Sequence, residues 1–253
     1  MSFRPFTRTP IASGFTTTKT RRPNEDIRGS EATTLSMMDG GRKTPGQNDR
    51  PLVMVKIVGG VSRLFVDRSA LLKFLVQLDE AFMRPGRLYM IGETTQLFEG
   101  WRDWTDQIEF AAQVANEDKA GFAKAVMAVQ TRGDVQLLEE SPADVIPLPS
   151  GYEQRARSVE MPEANRGFGL RLFHFDPYSV AFRFIARGDE QDYRVVLRYL
   201  EHGWVTVEEF NVMLDALLPK FTVEVIQQDA QEFRRKYKGL IQMWRASPEH
   251  GIP

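Results

Sequence analysis

Strand-like and helix-like apolar patterns alternate along residues 52–138, and this alternation restricts the chain to an α/β fold. The runs LVMVKIV and LYMIG have the length of buried strands, and glycine follows or ends each of them. Between them, apolar residues recur at three- and four-residue spacing, which predicts a helix capped by Asp67 or Ser69. The run QIEFA from Gln107 alternates polar and apolar side chains, as a half-buried strand does.

Further elements follow this acidic strand along the chain. Apolar residues on one face of residues 117–132 predict a helix, and short strands are predicted at 135–138 and 170–175. The stretch PADVIPLPSGYEQR between those two strands is rich in proline, so we expect it to lack regular structure.

Residues 176–253 have helical periodicity throughout, in pieces that begin at the cap residues Asp176 and Thr206. Thr206 and Glu209 have the spacing of a capping box. We predict that this helical part packs on an α/β core formed by residues 51–175, in which a mixed sheet is flanked by helices.

Residues 1–50 have no helical or strand period and contain many Pro, Gly and Thr residues, so we predict a disordered tail. They hold nine Lys or Arg against five Asp or Glu, which leaves 24 against 29 for the rest of the chain. Nucleic-acid affinity depends on basic side chains that neutralise phosphates, so the acidic remainder argues against an extended nucleic-acid surface.

The composition also bears on where the chain resides. It has no cysteine, so neither a disulfide nor a thiolate metal site can form. No apolar stretch approaches the roughly twenty residues that span a bilayer. The first residues lack the charged-then-apolar order of a signal peptide. We therefore expect a cytoplasmic protein that does not contact a membrane.

A glycine turn and an acidic strand lie close together in the segment YMIGETTQLFEGWRDWTDQIEF. This segment resembles the first motif of the nucleotidyltransferase fold, in which one strand ends in Gly-Gly or Gly-Ser and a nearby strand bears two carboxylates separated by one residue. Carboxylates at positions i and i+2 of a strand point to the same side and can hold a divalent metal together. The glycine turn lets backbone amides approach a triphosphate. The resemblance therefore implies Mg²⁺ with a nucleoside triphosphate.

The similarity extends over roughly residues 87–220, where the chain resembles a group of uncharacterised bacterial nucleotidyltransferase-like proteins that includes relatives of toxin and antitoxin components. In that group a Thr-x-Asp-x-Asp stretch precedes a helical Ala-Arg-Gly-x-x-x-Asp segment, here Ala186, Arg187, Gly188 and Asp192. The resemblance implies that the nucleotide and its metal would be bound by Gly92, Glu93, Thr94, Thr105, Gln107, Arg187 and Asp192.

The chain departs from the motif at two positions. When Thr105 is aligned with the threonine of the motif, Gln107 occupies the first carboxylate position and Glu109 the second. A neutral amide cannot replace a carboxylate on a metal without loss of charge. Glu93 stands where a small residue normally follows Gly92, and its charge would repel a phosphate. These departures favour loss of catalysis over reuse of the site.

Two further carboxylates are candidates for the site beside Glu109. Asp106 is recruited if the alignment shifts by one residue, although residues three apart on a strand face opposite sides. The third carboxylate of an active fold would come from the strand near Gly133, where Asp134 and Glu139 are candidates. Glu109, Asp106 and Asp134 are thus the catalytic candidates, and Glu109 and Asp106 are the metal-binding ones.

Three functions are compatible with this sequence. The first is a nucleotidyltransferase-fold protein that has lost part of its metal site and binds a nucleotide or a protein partner. The second is an active Mg²⁺-dependent transferase that acts on a protein, RNA or small-molecule acceptor, as toxin or antitoxin relatives do. The third is an interaction module unrelated to nucleotides, with the helical C-terminal part as its contact surface. The direction of the Gln107 and Glu109 side chains relative to Gly92 distinguishes them.

Overall fold

The computed structural model describes residues 54–58, 61–133, 135–160, 169–221 and 229–247. These residues all belong to one unit, Asn48–Pro253, and the other unit, Met1–Gln47, lies outside the described residues. The predicted disordered tail over residues 1–50 therefore also lies outside them.

Strands and helices alternate through the first half of the described chain, and helices dominate after residue 175. The strands are β1 (Met54–Val58), β2 (Val61–Asp67), β3 (Gly86–Met90), β4 (Trp104–Thr105), β5 (Ile108–Val114), β6 (Leu137–Glu139), β7 (Arg157–Val159) and β8 (Leu170–His174). The helices are α1 (Arg68–Phe82), α2 (Gly92–Phe98), α3 (Lys119–Gly133), α4 (Tyr152–Arg155), α5 (Pro177–Arg187), α6 (Glu190–Glu201), α7 (Val207–Leu217) and α8 (Ala230–Ala246).

A five-stranded mixed sheet in the order β6-β5-β3-β8-β7 forms the centre of the fold, and this confirms the predicted α/β class. β3 pairs with β5 in antiparallel register and with β8 in parallel register. Tyr89 lies opposite Ala111 and Met90 opposite Phe110. The glycine turn and the acidic strand are therefore neighbours in one sheet, as the resemblance to the nucleotidyltransferase motif implies.

Each face of this sheet is covered by its own layer of helices. Leu88, Met90 and Phe110 pack with α1 and α3 in one buried apolar cluster. Ile91 and Ala111 belong to a second cluster, which is formed mainly by residues of α5, α6, α7 and α8. Successive residues of a strand point to opposite faces, so this alternation fixes which layer each strand side chain meets.

A second, smaller sheet in the order β1-β2-β4 precedes and flanks α1. The sequence patterns predict β1 but neither β2 nor β4. Of the two predicted caps of α1, Asp67 is the one observed, because its side chain accepts a hydrogen bond from the backbone N–H of Ala70 at 2.7 Å. No helix in the described ranges is long and apolar enough to cross a membrane.

The proline-rich stretch is more ordered than its composition predicts. A 3₁₀ turn spans Pro142–Asp144, and α4 and β7 follow it. The turn begins with a capping box in which Ser141 and Asp144 bond reciprocally to each other's backbone. Proline suits the first positions of such a turn because its missing N–H has no partner there in any case.

α5 is buried along its length, from Pro177 to Ala186. Its N-cap, Asp176, is fully buried and accepts hydrogen bonds from the backbone N–H groups of Tyr178 and Ser179. The Arg155 guanidinium also donates to both Asp176 oxygens, at 2.8 and 2.9 Å. This bidentate pair ties α4 to the start of α5.

The start of α7 differs from the predicted capping box. Thr206 caps the helix as expected, since its Oγ1 accepts from the Glu209 N–H at 3.3 Å. The Glu209 carboxylate, however, accepts a hydrogen bond from the Tyr178 hydroxyl instead of from the Thr206 backbone. The Tyr178 hydroxyl in turn accepts from the Thr206 N–H at 3.0 Å, so a side chain of α5 replaces the reciprocal half of the box.

Replacing Asp176→Ala should lower the free energy of unfolding by about 2–4 kcal/mol, because it removes a buried cap and leaves Arg155 without its carboxylate. The matched change Asp229→Ala removes the exposed cap of α8 and should cost only about 1 kcal/mol. Urea denaturation of both variants tests the difference. Equal losses would show that the Arg155 pair contributes nothing to stability.

Candidate functional site

The side chain of Glu109 lies on the α5 side of the central sheet. Its strand neighbours Ile108 and Phe110 belong to the apolar cluster of α1 and α3. Because successive strand residues point to opposite faces, Glu109 points toward the C-terminal helices. Glu109 is only 5% exposed, and a carboxylate this deeply buried must find partners within the protein.

Three residues of the motif bond directly to Glu109. Gln107 donates from Nε2 to Glu109 Oε1 at 2.9 Å, and the Glu109 backbone N–H donates to Thr94 Oγ1 at 2.7 Å. The Ile91 backbone N–H donates to the Glu109 carbonyl at 3.2 Å. The glycine turn and the acidic strand thus converge, and the amide of Gln107 takes up one of the two carboxylate oxygens.

A buried arginine, Arg183 of α5, holds the other carboxylate oxygen. Its Nη1 lies 3.4 Å from Glu109 Oε2, and its Nη2 forms an ion pair with Glu140. Arg183 has no exposed surface, whereas the Glu140 side chain is 32% exposed. The Glu140 backbone N–H donates to the Phe110 carbonyl at 3.0 Å, which fixes the residue beside β5. The guanidinium therefore bridges a carboxylate of β5 and the carboxylate of the residue that follows β6.

The charges of this cluster do not cancel, because one arginine faces two carboxylates. Burial raises the pKa of Glu109 above its ordinary value of 4.5, and the nearby charges of Arg183 and Arg187 and the Gln107 hydrogen bond only partly offset that effect. Glu109 is thus the carboxylate of the cluster for which ionisation is costly.

Side chains occupy the space next to the Gly92 Cα in the glycine turn. Gly92 has a φ of +54°, which L side chains rarely adopt. A Cβ at this position would lie 2.5 Å from Phe184 Cζ and 3.0 Å from Glu109 Oε2. Gly92 and the following Thr94 are buried. Glycine is required here because α5 packs against the turn and leaves no room for a Cβ.

Glu93 is bound by three partners around the same turn. Its carboxylate accepts hydrogen bonds from Thr105 Oγ1 at 2.8 Å and Gln191 Nε2 at 2.9 Å, and Arg102 Nη1 lies at 2.5 Å. Burial by itself would raise the pKa of Glu93, but the Arg102 hydrogen bond and charge and the other two hydrogen bonds lower it below the ordinary value. Glu93 is therefore an internal anion that joins the turn to α6.

The two charged residues of the Ala-Arg-Gly-x-x-x-Asp segment, Arg187 and Asp192, form an ion pair with each other near this cluster. Arg187 Nη2 lies 3.1 Å from Asp192 Oδ1, and Asp192 also closes a capping box with Asp189 at the start of α6. The Arg187 guanidinium lies 5.3 Å from the centre of the Phe184 ring. The segment thus forms the corner between α5 and α6. Its Arg187 is a second positive charge that acts on Glu109.

Two of the other acidic candidates, Asp106 and Glu139, are exposed; Glu139 is the last residue of β6 and lies opposite Phe110 of β5. Asp106 lies in the bend between β4 and β5 and is exposed, whereas Glu109 is buried. The strand begins only at Ile108, so neither shift of the alignment places two carboxylates on one face of β5. Asp134 lies outside the described residues.

Sequence reasoning missed four residues of the site: Arg102, Glu140, Arg183 and Phe184. One signal pointed to Arg183, which precedes Arg187 by four residues and therefore lies on the same face of α5. A basic residue within the otherwise apolar run PYSVAFRFIA must also be buried with a carboxylate partner. Only the tertiary structure identifies that partner.

The residues present at the site do not fit a divalent cation. One Glu109 oxygen faces the Gln107 amide, and the guanidinium of Arg183 stands between the carboxylates of Glu109 and Glu140. Like charges repel, so a metal ion and Arg183 cannot share this position. Within the described ranges, no group of three or more His, Cys, Asp or Glu side chains has the geometry of a metal site.

Comparison of the chain with models of protein families, with curated proteins and with solved structures found no match in any of the three.

The raised pKa of Glu109 predicts how stability changes with pH. The folded protein binds this proton more readily than the unfolded chain, so the contribution is fully present below pH 4.5 and is lost as the pH rises through the folded pKa. Glu109→Gln keeps the neutral form at every pH. Its free energy of unfolding relative to the wild type should therefore increase from pH 4 to pH 8, as measured by urea denaturation. A difference that falls over this range would contradict the prediction.

Proposed function

We propose that this chain is a nucleotidyltransferase-like protein that does not transfer nucleotides and that acts by binding a protein partner through its helical C-terminal part. The observation that carries the proposal is the position of Arg183, between the carboxylates of Glu109 and Glu140. Transfer of a nucleotidyl group needs a cation that aligns the nucleophile and the leaving pyrophosphate. An arginine side chain fixed by two carboxylates cannot bind a triphosphate and release it in each cycle.

The residues around the glycine turn support the same proposal. Phe184 packs against Gly92, where a phosphate would approach the turn. The next residue, Glu93, carries a negative charge that is paired with Arg102. Anionic phosphates are disfavoured next to a buried carboxylate and an aromatic ring. The motif residues instead connect the sheet to α5 and α6, so they serve contacts within the fold.

The surface of α7 and α8 supports a protein partner. Tyr237 donates from its hydroxyl to Asn211 Oδ1 at 2.8 Å, and Arg234 pairs with Asp215 at 3.2 Å, so the two helices form one surface. Val212 lies between these contacts on α7 and is 72% exposed. We infer that Val212, on this surface formed by two helices, is the apolar contact for a protein partner.

Wild-type protein should show no Mg²⁺- or Mn²⁺-dependent transfer from labelled ATP, GTP, CTP or UTP, and calorimetry should detect no nucleotide binding. Gln107→Asp combined with Glu93→Gly or Glu93→Ser should not restore either property, because Arg183 still occupies the centre. Robust transfer by the wild type that Glu109→Ala abolishes would identify an active enzyme. Metal-independent nucleotide binding would instead favour a nucleotide sensor.

The partner surface is tested by a charge substitution on α7. Val212→Glu should weaken co-purification of a specific partner from the native source by about tenfold, the effect expected when an apolar contact of roughly 1.4 kcal/mol is lost. Met127→Glu on α3 is the matched control, since Met127 is 66% exposed but lies on the opposite helical layer. Equal effects of the two substitutions would exclude α7 as the contact.

A further inference from the structure

We propose that Arg183 is the resident cation of a carboxylate pair, Glu109 and Glu140, which becomes a divalent-cation site when the arginine is removed. The inference rests on the proposed loss of nucleotidyl transfer and specifies its cause. It assigns the loss to a single side chain of α5, whereas sequence reasoning assigns it to Gln107 and Glu93.

The geometry of the guanidinium supports this assignment. Arg183 is wholly buried and reaches Glu109 with Nη1 and Glu140 with Nη2, so its two terminal nitrogens face two different carboxylates. Its Nε is buried and has no hydrogen-bond partner among the described residues. A buried guanidinium normally has hydrogen-bond partners for all its N–H groups. Arg183 instead lies between the two carboxylates and leaves its Nε without a partner among the described residues.

The surrounding oxygen atoms are those that hard cations prefer. Glu109 and Glu140 supply carboxylates, and Gln107, whose amide already contacts Glu109, can turn its carbonyl oxygen toward the same point. The backbone positions of Glu109 and Glu140 are fixed by hydrogen bonds to Ile91 and Phe110, respectively. The ligands would therefore remain near one another after the arginine has been removed.

The charge balance explains why one residue decides the outcome. With Arg183 present the three side chains carry a net charge of about −1, and the exposed edge of Arg187 lies nearby. Without Arg183 no cation lies between the two carboxylates, so the buried Glu109 must bind either a proton or a cation, and a divalent ion neutralises both carboxylates at once. Substitution of Gln107 or Glu93 leaves the positive charge of Arg183 between the two carboxylates.

Arg183→Met is the decisive variant, since methionine keeps much of the apolar stem and removes the charge. The full-length variant should have a lower Tm than the wild type in chelator, and Mn²⁺ or Mg²⁺ should raise that Tm. Calorimetry should give a Kd for Mn²⁺ on the order of tenfold or more below that of the wild type. Arg187→Met is the matched control: it removes the neighbouring charge but should show no cation response.

The double variant Arg183→Met with Glu140→Gln identifies the site, because it should fold without added cation and should lose the Mn²⁺ response. The variants are also refolded from urea with and without Mn²⁺, so a variant that cannot fold unaided still gives a result. Refolding of Arg183→Met only in Mn²⁺ supports the proposal, and failure under both conditions overturns it. A Mn²⁺ response of the wild type equal to that of Arg183→Met also overturns it.

The two proposals fail in different experiments. Nucleotidyl transfer by the wild-type protein would refute the proposed function whatever Arg183→Met binds. Absence of cation binding by Arg183→Met would refute the resident-cation assignment and would leave the wild type without transfer activity.

Discussion

The ion pairs of Arg183 with Glu109 and Glu140 are the interactions on which the organisation of the centre depends. A buried guanidinium is tolerated only when carboxylates surround it, and a buried Glu109 is tolerated only when a cation or a proton neutralises it. Each group therefore requires the other. Because Arg183 belongs to α5 and Glu109 to β5, this mutual requirement fixes the helical part on one face of the sheet.

The neighbouring motif residues extend the same connection. Glu93 reaches Gln191 of α6, and Gln96 donates from Nε2 to the Val195 carbonyl of α6 at 2.8 Å. The Tyr178 hydroxyl links the start of α7 back to α5. The side chains around the glycine turn thus make contacts between the sheet and the helices.

Much of the site was visible in the sequence, but its chemistry was not. The glycine turn, the acidic strand and the Arg187 segment do converge on Glu109, as the resemblance to the nucleotidyltransferase motif implies. The sequence also pointed to erosion of the site through Gln107 and Glu93. Arg183, on which our proposal depends, lies 74 residues from Glu109 along the chain, and no local pattern relates positions so far apart.

The sequence by itself determined the α/β class, the cap at Asp176 and the helical character of the described residues that follow it, and it limited the cap of α1 to Asp67 or Ser69. These features depend on side-chain periods and cap chemistry within short segments. Only the tertiary structure decided that Tyr178 displaces Glu209 in the α7 cap and that Arg183 bridges two carboxylates. Burial makes such partners compulsory, but packing alone selects which residues meet, since partner choice depends on contacts between distant segments.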